Sequence, residues 1–236
     1  MSNLTKSQQE LADLLLSTKI EAKIIKRLQH EDDSYYLETS QRPTSPIDFA
    51  KDPGEFALKM HETKIDATLS PIYVNLRNLP QDVLEKIAQV LAEVKLAETQ
   101  DFCTGIPKAA VVIAQEFSKA SGIPMVNVYE KIGPDTDRKI VTLPNVSSKN
   151  HEKLLVIDDV VAHGKSKLEA LEAAKQAGFD VSMMVLIDRE QGGVAELEKK
   201  KCKIYAAMKI TDILNYYMEK DMITKEQYQK SMDYLK

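Results

Sequence analysis

Leu154-Leu155-Val156-Ile157-Asp158-Asp159-Val160-Val161-Ala162-His163-Gly164-Lys165-Ser166 is the stretch whose reading decides the fold. Four consecutive apolar residues without polar alternation predict a strand covered on both faces, as in a parallel sheet. Two carboxylates stand where that strand is expected to end. A short Gly-containing turn follows, and Ser166 with Glu169 has capping-box spacing. Leu168, Leu171 and Ala174 then predict an amphipathic helix. Strand, acidic edge, small loop and helix N-terminus together make an anion site with acceptors beside it. Backbone N–H groups and the helix dipole can hold a phosphate, while Asp158 and Asp159 can bind hydroxyls or a metal.

Two other readings compete. Gly164-Lys165-Ser166 imitates the end of a G-x-x-x-x-G-K-[ST] loop, but the first Gly of that pattern falls on Asp159, the wrong sign and shape for a phosphate cradle. The plainer alternative is an ordinary strand–loop–helix junction with solvated acids.

Outward from this block the chain alternates. Strands are expected at 69–77 (beginning at Pro71), 102–103, 125–128, 140–143, 181–187 and 204–207. Helices are expected at 56–61, 80–94 (with Pro80 at its first position), 109–121, 166–178 and 194–199, followed by two opened by Thr211 and Thr224. Residues 132–138, with Gly133, Pro134 and Asp135, read as a mobile loop. Strands alternating with helices predict an α/β fold with a mainly parallel sheet flanked by helices. Ligands in such sheets bind at the carboxyl ends of the strands, which puts Gly105, Asp158, Asp159 and Arg189 on one rim. Residues 5–29 read as a single helix on Leu11, Leu14, Leu15, Ile20, Ala22, Ile24, Ile25 and Leu28, and 30–46 as a proline-broken acidic linker. The expected organisation is a helical extension and linker at 1–46 and one domain at 47–236.

Composition narrows the class. The 236 residues are 43% hydrophobic and 29% charged, values of a soluble globular protein, and the net charge of −4 gives no basic field for nucleic acid. No apolar run approaches the roughly 18 residues of a membrane helix. MSNLTKSQQE lacks the apolar core of a signal peptide. Two cysteines, Cys103 and Cys202, suit a reducing cytoplasm, and four scattered histidines show no zinc-ligand spacing.

The central block resembles the phosphoribosyl pyrophosphate (PRPP) signature of type I phosphoribosyltransferases. With Val185-Leu186-Ile187-Asp188-Arg189-Glu190-Gln191-Gly192-Gly193 downstream and Ser70-Pro71-Ile72-Tyr73-Val74-Asn75-Leu76-Arg77 upstream, the chain resembles the orotate phosphoribosyltransferase family from about residue 47 onward. Thr104-Gly105-Ile106-Pro107 occupies the place of that family's first Gly-Pro loop. The resemblance implies transfer of the phosphoribosyl group of PRPP to orotate in pyrimidine biosynthesis, in a cytoplasmic homodimer that uses magnesium (Mg2+). It implies that Asp158 and Asp159 hold the ribose hydroxyls and steady the developing cation. Ala162, His163, Gly164, Lys165 and Ser166 would cradle the 5′-phosphate, Lys108 would lie at the pyrophosphate, and Arg189 would grip the orotate carboxylate; no side chain is expected as a direct metal ligand.

The departures from the family pattern cluster. Thr is usual where Ala162 stands, and a small residue where His163 stands. A Lys-Ser-Gly stretch usually precedes the Ser-Pro-Ile-Tyr strand, where Ile65-Asp66-Ala67 supply no cation. The catalytic loop reads Tyr129-Glu130-Lys131-Ile132-Gly133-Pro134-Asp135-Thr136-Asp137-Arg138-Lys139, in which Lys131, Arg138 or Lys139 can substitute by a register shift; Lys131 is the chosen catalytic candidate. These losses leave two alternatives open: a regulatory protein that binds PRPP or a nucleotide with little turnover, and a transferase for another base.

Overall fold

A computed structural model of the chain describes residues 3–57, 59–62, 64–134 and 138–236. In chain order the elements are α1 (Lys6–Ser17), β1 (Ile20–Gln29), β2 (Tyr35–Thr44), β3 (Ile47–Phe49), a 3-10 turn (Lys59–Glu62), β4 (Ile72–Val74), α2 (Gln81–Ala92), β5 (Phe102–Gly105), α3 (Ala109–Ser121), β6 (Tyr129–Ile132), β7 (Lys139–Thr142), β8 (Lys153–Val161), α4 (Lys165–Gln176), β9 (Asp180–Asp188), α5 (Gly193–Lys199), β10 (Lys203–Lys209), α6 (Ile210–Glu219) and α7 (Lys225–Leu235). They form two compact units, residues 12–79 with 214–236 and residues 3–11 with 80–213.

The larger unit is built on a four-stranded sheet of order β10-β9-β8-β5, parallel throughout. Leu154, Leu155, Val156 and Ile157 are buried, as a strand covered on both faces requires. Leu154 and Val156 belong to a core cluster with Leu171 and Ala174 of α4 and Met183 and Val185 of β9. The strand does not end at the acids. It runs through Asp158 and Asp159 to Val161, because β9 pairs with it all the way to Val161↔Asp188. The segment expected as a strand at 125–128 makes only a single parallel bridge, Cys103↔Met125. The loop expected at 132–138 lies between the antiparallel strands β6 and β7; Asp135, Thr136 and Asp137 lie outside the described residues.

Three helix starts differ from expectation. The N-cap of α4 is Gly164 in the left-handed region (φ 80°), not Ser166. Glu169, the expected partner of Ser166, instead accepts from the Ile140 N–H of β7 at 3.4 Å. Pro80 stands one position outside α2 as its N-cap, and Thr211 lies inside α6. There the Thr211 hydroxyl and N–H donate to Glu190. Thr224 caps α7 with Gln227 in a reciprocal capping box.

The smaller unit corrects the reading of the N-terminal region. The helix stops at Ser17, and 20–29 is a strand paired antiparallel with 35–44, where a helix and a linker were expected. Ile20, Ala22 and Ile24 are buried while Glu21 and Lys23 are exposed, a period of two that fits a half-buried strand. Pro43 is accommodated in β2, a strand paired on one side only. The helix expected at 56–61 is a turn, with Phe56 at φ 64°, leading into the 3-10 turn; Leu58 lies outside the described residues. The Ile65-Asp66-Ala67 segment is fixed by Arg27, whose Nη1 donates to the Ile65 carbonyl at 2.7 Å and to the Ala67 carbonyl at 2.9 Å.

The β6–β7 ribbon is pinned to α4 by the buried Tyr129, whose hydroxyl donates to the Ala170 carbonyl at 3.0 Å. Burial pushes its ionisation well above the usual phenol range, so it acts as a neutral donor. Tyr129→Phe is expected to cost about 1 kcal/mol of unfolding free energy. Urea denaturation reads this as a lower midpoint at unchanged slope; an unmoved midpoint would show that this bond does not anchor the ribbon.

Candidate active site

The geometry of the site begins where β5 stops. Gly105 pairs with Ile157, and the Ile106 N–H still reaches the Ile157 carbonyl at 3.0 Å. A side chain at Gly105 would lie 2.3 Å from the Ala110 carbonyl oxygen, so the first turn of α3 presses directly on the end of β5. The Pro107–Lys108 peptide in this turn is cis, and Lys108 is exposed at the start of α3. Asp158 is therefore the first residue of β8 beyond the end of β5. Past this point β8 is paired with β9 alone, and the acidic pair stands at the carboxyl edge of the sheet.

The two acids differ in environment. Asp158 is buried, Asp159 only partly so. Asp158 Oδ1 accepts from the Asp159 N–H at 2.9 Å, and Asp159 Oδ1 accepts from the Val160 N–H at 2.8 Å. Asp158 Oδ2 meets Lys167 Nζ at 2.6 Å, in a pair almost closed to solvent. Burial first, and the neighbouring Asp159 second, push the Asp158 carboxyl up to about 7 against the opposing pull of Lys167. Sequence reading had named both acids but not Lys167. Its signal was a lysine in the first turn of a helix, where the dipole disfavours a cation, placed on the turn that faces the acidic strand.

The loop between β8 and α4 has the form of an anion cradle. No side-chain hydrogen bond caps α4, so its first N–H groups, at Lys165, Ser166 and Lys167, point outward without a helical partner. Gly164 and Gly193 face each other across this loop. A Cβ on Gly193 would fall 2.5 Å from the Ala162 carbonyl oxygen, which the Gly193 N–H holds at 2.7 Å. His163 and Lys165 are exposed, Ala162 and Ser166 partly so, and His163 Nδ1 lies 3.3 Å from the Gln191 carbonyl.

Arg189 follows β9 on the same edge. It is buried, and its N–H donates to the Val161 carbonyl at 2.9 Å. Neighbouring Asp188 is raised above the usual carboxylate range, chiefly by burial. The structure thus brings together Gly105, Asp158, Asp159, the 162–166 loop and Arg189 at the carboxyl ends of adjacent parallel strands. Lys131 stands apart on the β6–β7 ribbon, exposed and paired with Ile140.

A parallel sheet flanked by helices, with an acidic pair and a glycine-bounded loop at its carboxyl edge, is the fold of the type I phosphoribosyltransferases. The phosphoribosyl transferase domain model matches residues 73–212. An orotate phosphoribosyltransferase of Methanoculleus marisnigri is 30% identical over 69% of this chain and 89% of its own length. That of Sulfolobus acidocaldarius is 28% identical over 71% of this chain and 84% of its own. The solved UMP synthase of Leishmania donovani superposes with a TM-score of 0.65 at 27% identity, covering 80% of this chain and 39% of that one. The chain belongs to the phosphoribosyltransferase family and, within it, to the orotate phosphoribosyltransferases.

Gly193→Ala tests the packing of the loop, because its methyl group would have to displace backbone rather than a flexible side-chain end. The variant is expected to lose about 1–3 kcal/mol of stability. Thermal unfolding equal to wild type would show that the loop yields without cost.

Proposed function

We propose that this chain transfers the phosphoribosyl group of PRPP to orotate, giving orotidine 5′-monophosphate and pyrophosphate. The observation that carries the reading is the acidic pair beyond the end of β5, followed at once by the uncapped start of α4. The spacing suits a ligand with sugar hydroxyls and a terminal phosphate. In the reaction the bond from ribose C1 to pyrophosphate breaks and a bond from C1 to an orotate ring nitrogen forms. Positive charge grows on the ribose while the leaving group becomes more negative. Asp158 and Asp159 accept the ribose hydroxyls and place negative charge beneath the developing oxocarbenium ion, a preorganised electrostatic role. The N–H groups of residues 165–167 hold the 5′-phosphate. Arg189, a planar guanidinium at the same edge, grips the orotate carboxylate bidentately. Lys108 lies at the leaving pyrophosphate, and Lys131 is the catalytic cation brought by the ribbon.

Among the described residues no group of three or more His, Cys, Asp or Glu side chains is arranged to hold a metal ion. Magnesium carried in on the phosphate oxygens of PRPP would supply charge neutralisation at the leaving pyrophosphate. No helix among the described residues is long and apolar enough to cross a membrane. Cys103 and Cys202 are buried with thiols pushed up to about 11, so they stay protonated and inert. We also infer a two-fold homodimer, in keeping with the resemblance of the 70–77 segment to the family's dimer-forming strand.

Product formation from orotate, PRPP and magnesium is the direct test. Asp158→Asn with Asp159→Asn is expected to lower turnover by more than about a hundredfold. Undiminished turnover would place the chemistry elsewhere. Arg189→Ala is expected to raise KM for orotate far more than for PRPP, and an equal effect on both substrates would remove it from the base site. A monomer in sedimentation at concentrations used for catalysis would defeat the dimer.

A further inference from the structure

We propose that Lys167 is a positioning residue for the ribose site, holding Asp158 ready for the sugar hydroxyls from the first turn of α4. The inference rests on the reading of this edge as a PRPP site and assigns the one buried cation there that the reading leaves without a role. Lys167 is 9% exposed and Asp158 6%. A lysine at this point opposes the helix dipole and loses most of its hydration, so its position needs a compensating anion. Asp158 is that anion, at 2.6 Å.

The arrangement does more than bury a pair. Adjacent carboxylates resist ionising together, and a buried one resists it more. The charged groups next to Asp158 are Asp159 on its own strand and Lys167 from α4. The flanking strands offer uncharged neighbours, Gly105 and Ile106 at the end of β5 and Val185 on β9. On α3, Glu116 and Lys119 pair with each other at 2.7 Å. Asp188 and Arg189 stand level with Val161 or beyond it, and His163 and Lys165 are exposed in the loop. Lys167 is therefore the cation that opposes the repulsion between the acids. It occupies Oδ2 while the Asp159 N–H occupies Oδ1, which fixes the plane of the carboxylate. Because Lys167 also lies in the turn whose N–H groups face the anion, phosphate loop and ribose acids are joined through one side chain.

The test measures PRPP affinity by calorimetry, and kcat/KM for PRPP, from about pH 6 to about pH 9 in full-length protein with magnesium. Lys167→Met is expected to lose at least about tenfold in both near neutral pH, with the deficit shrinking as pH rises and Asp158 ionises unaided. Lys167→Arg, which restores the charge, is expected to recover most of the loss. Lys167→Gln keeps a donor without the charge and should show the same alkaline recovery as Met, so a Met variant that fails to fold does not end the test. In an Asp158→Asn background, Lys167→Met or Lys167→Gln should add little. The ionisation of PRPP itself is common to all variants and cancels in the comparison. A deficit equal at every pH, or losses that multiply in the double variant, would reduce Lys167 to a structural ion pair. Wild-type binding without turnover would overturn the transferase reading while the affinities still decide the role of Lys167. Wild-type protein that binds no PRPP would overturn both.

Discussion

The burial of one carboxylate at the edge of a parallel sheet is the constraint on which the site depends. An ionised carboxylate taken out of water without partners costs several kcal/mol, and breaking a buried pair by removing one member typically costs about 3–5 kcal/mol. Asp158 meets this with two donors, the Asp159 N–H and the Lys167 ammonium. The second donor ties the start of α4 to the end of β8. That tie leaves only Ala162, His163 and Gly164 to turn the chain, so Gly164 takes the left-handed conformation and Gly193 must lack a side chain. The tight turn proposed to hold phosphate lies between that buried charge and the helix start that neutralises it.

The same edge shows why the sheet stops where it does. β8 and β9 are paired to their carboxyl ends, whereas β5 ends four residues of β8 earlier, under the pressure of α3 on Gly105. Had β5 continued, its backbone would fill the place beside Asp158 and Asp159. The sheet is thus narrower beside the acids by one strand, and Pro107, with no N–H to give to a ladder, makes further extension of β5 unfavourable.

Much of this was legible in the sequence because buried parallel strands carry an unmistakable composition. The runs at 154–157 and 181–187, and the helix at 109–121, rest on apolar residues that admit one placement. The placing of the acidic pair and Arg189 toward the carboxyl ends of two adjacent strands was legible, whereas the continuation of β8 through the acids to Val161 was not. Residues 20–29 were not, because Ile20, Ile24, Ile25 and Leu28 satisfy a helical period as well as the alternation of Ile20, Ala22 and Ile24; the antiparallel partner at 35–44 decides between them. Ser166 and Glu169 matched a cap by spacing, yet β7 claimed Glu169 and the αL glycine claimed the cap. Lys167 carried a weaker signal, because a lysine in a first helical turn reads as solvated until the strand beneath it is known.

The division between buried and exposed charge also orders the proposed reaction. Asp158 and Lys167 are locked in place, so the geometry proposed to lie beneath the ribose is set before substrate arrives. Lys108, Lys131 and Lys165 are exposed on loop and ribbon, where long side chains can follow an anion. Pyrophosphate departs and ribose stays, so rigid charge suits the sugar and adaptable charge suits the leaving group. The departures from the family pattern fall on the cations proposed for the leaving group, whereas the acids proposed for the ribose stand in place. Surface cations can be exchanged between positions with little effect on packing. A buried acid and its lysine cannot, since each is the other's condition for being there.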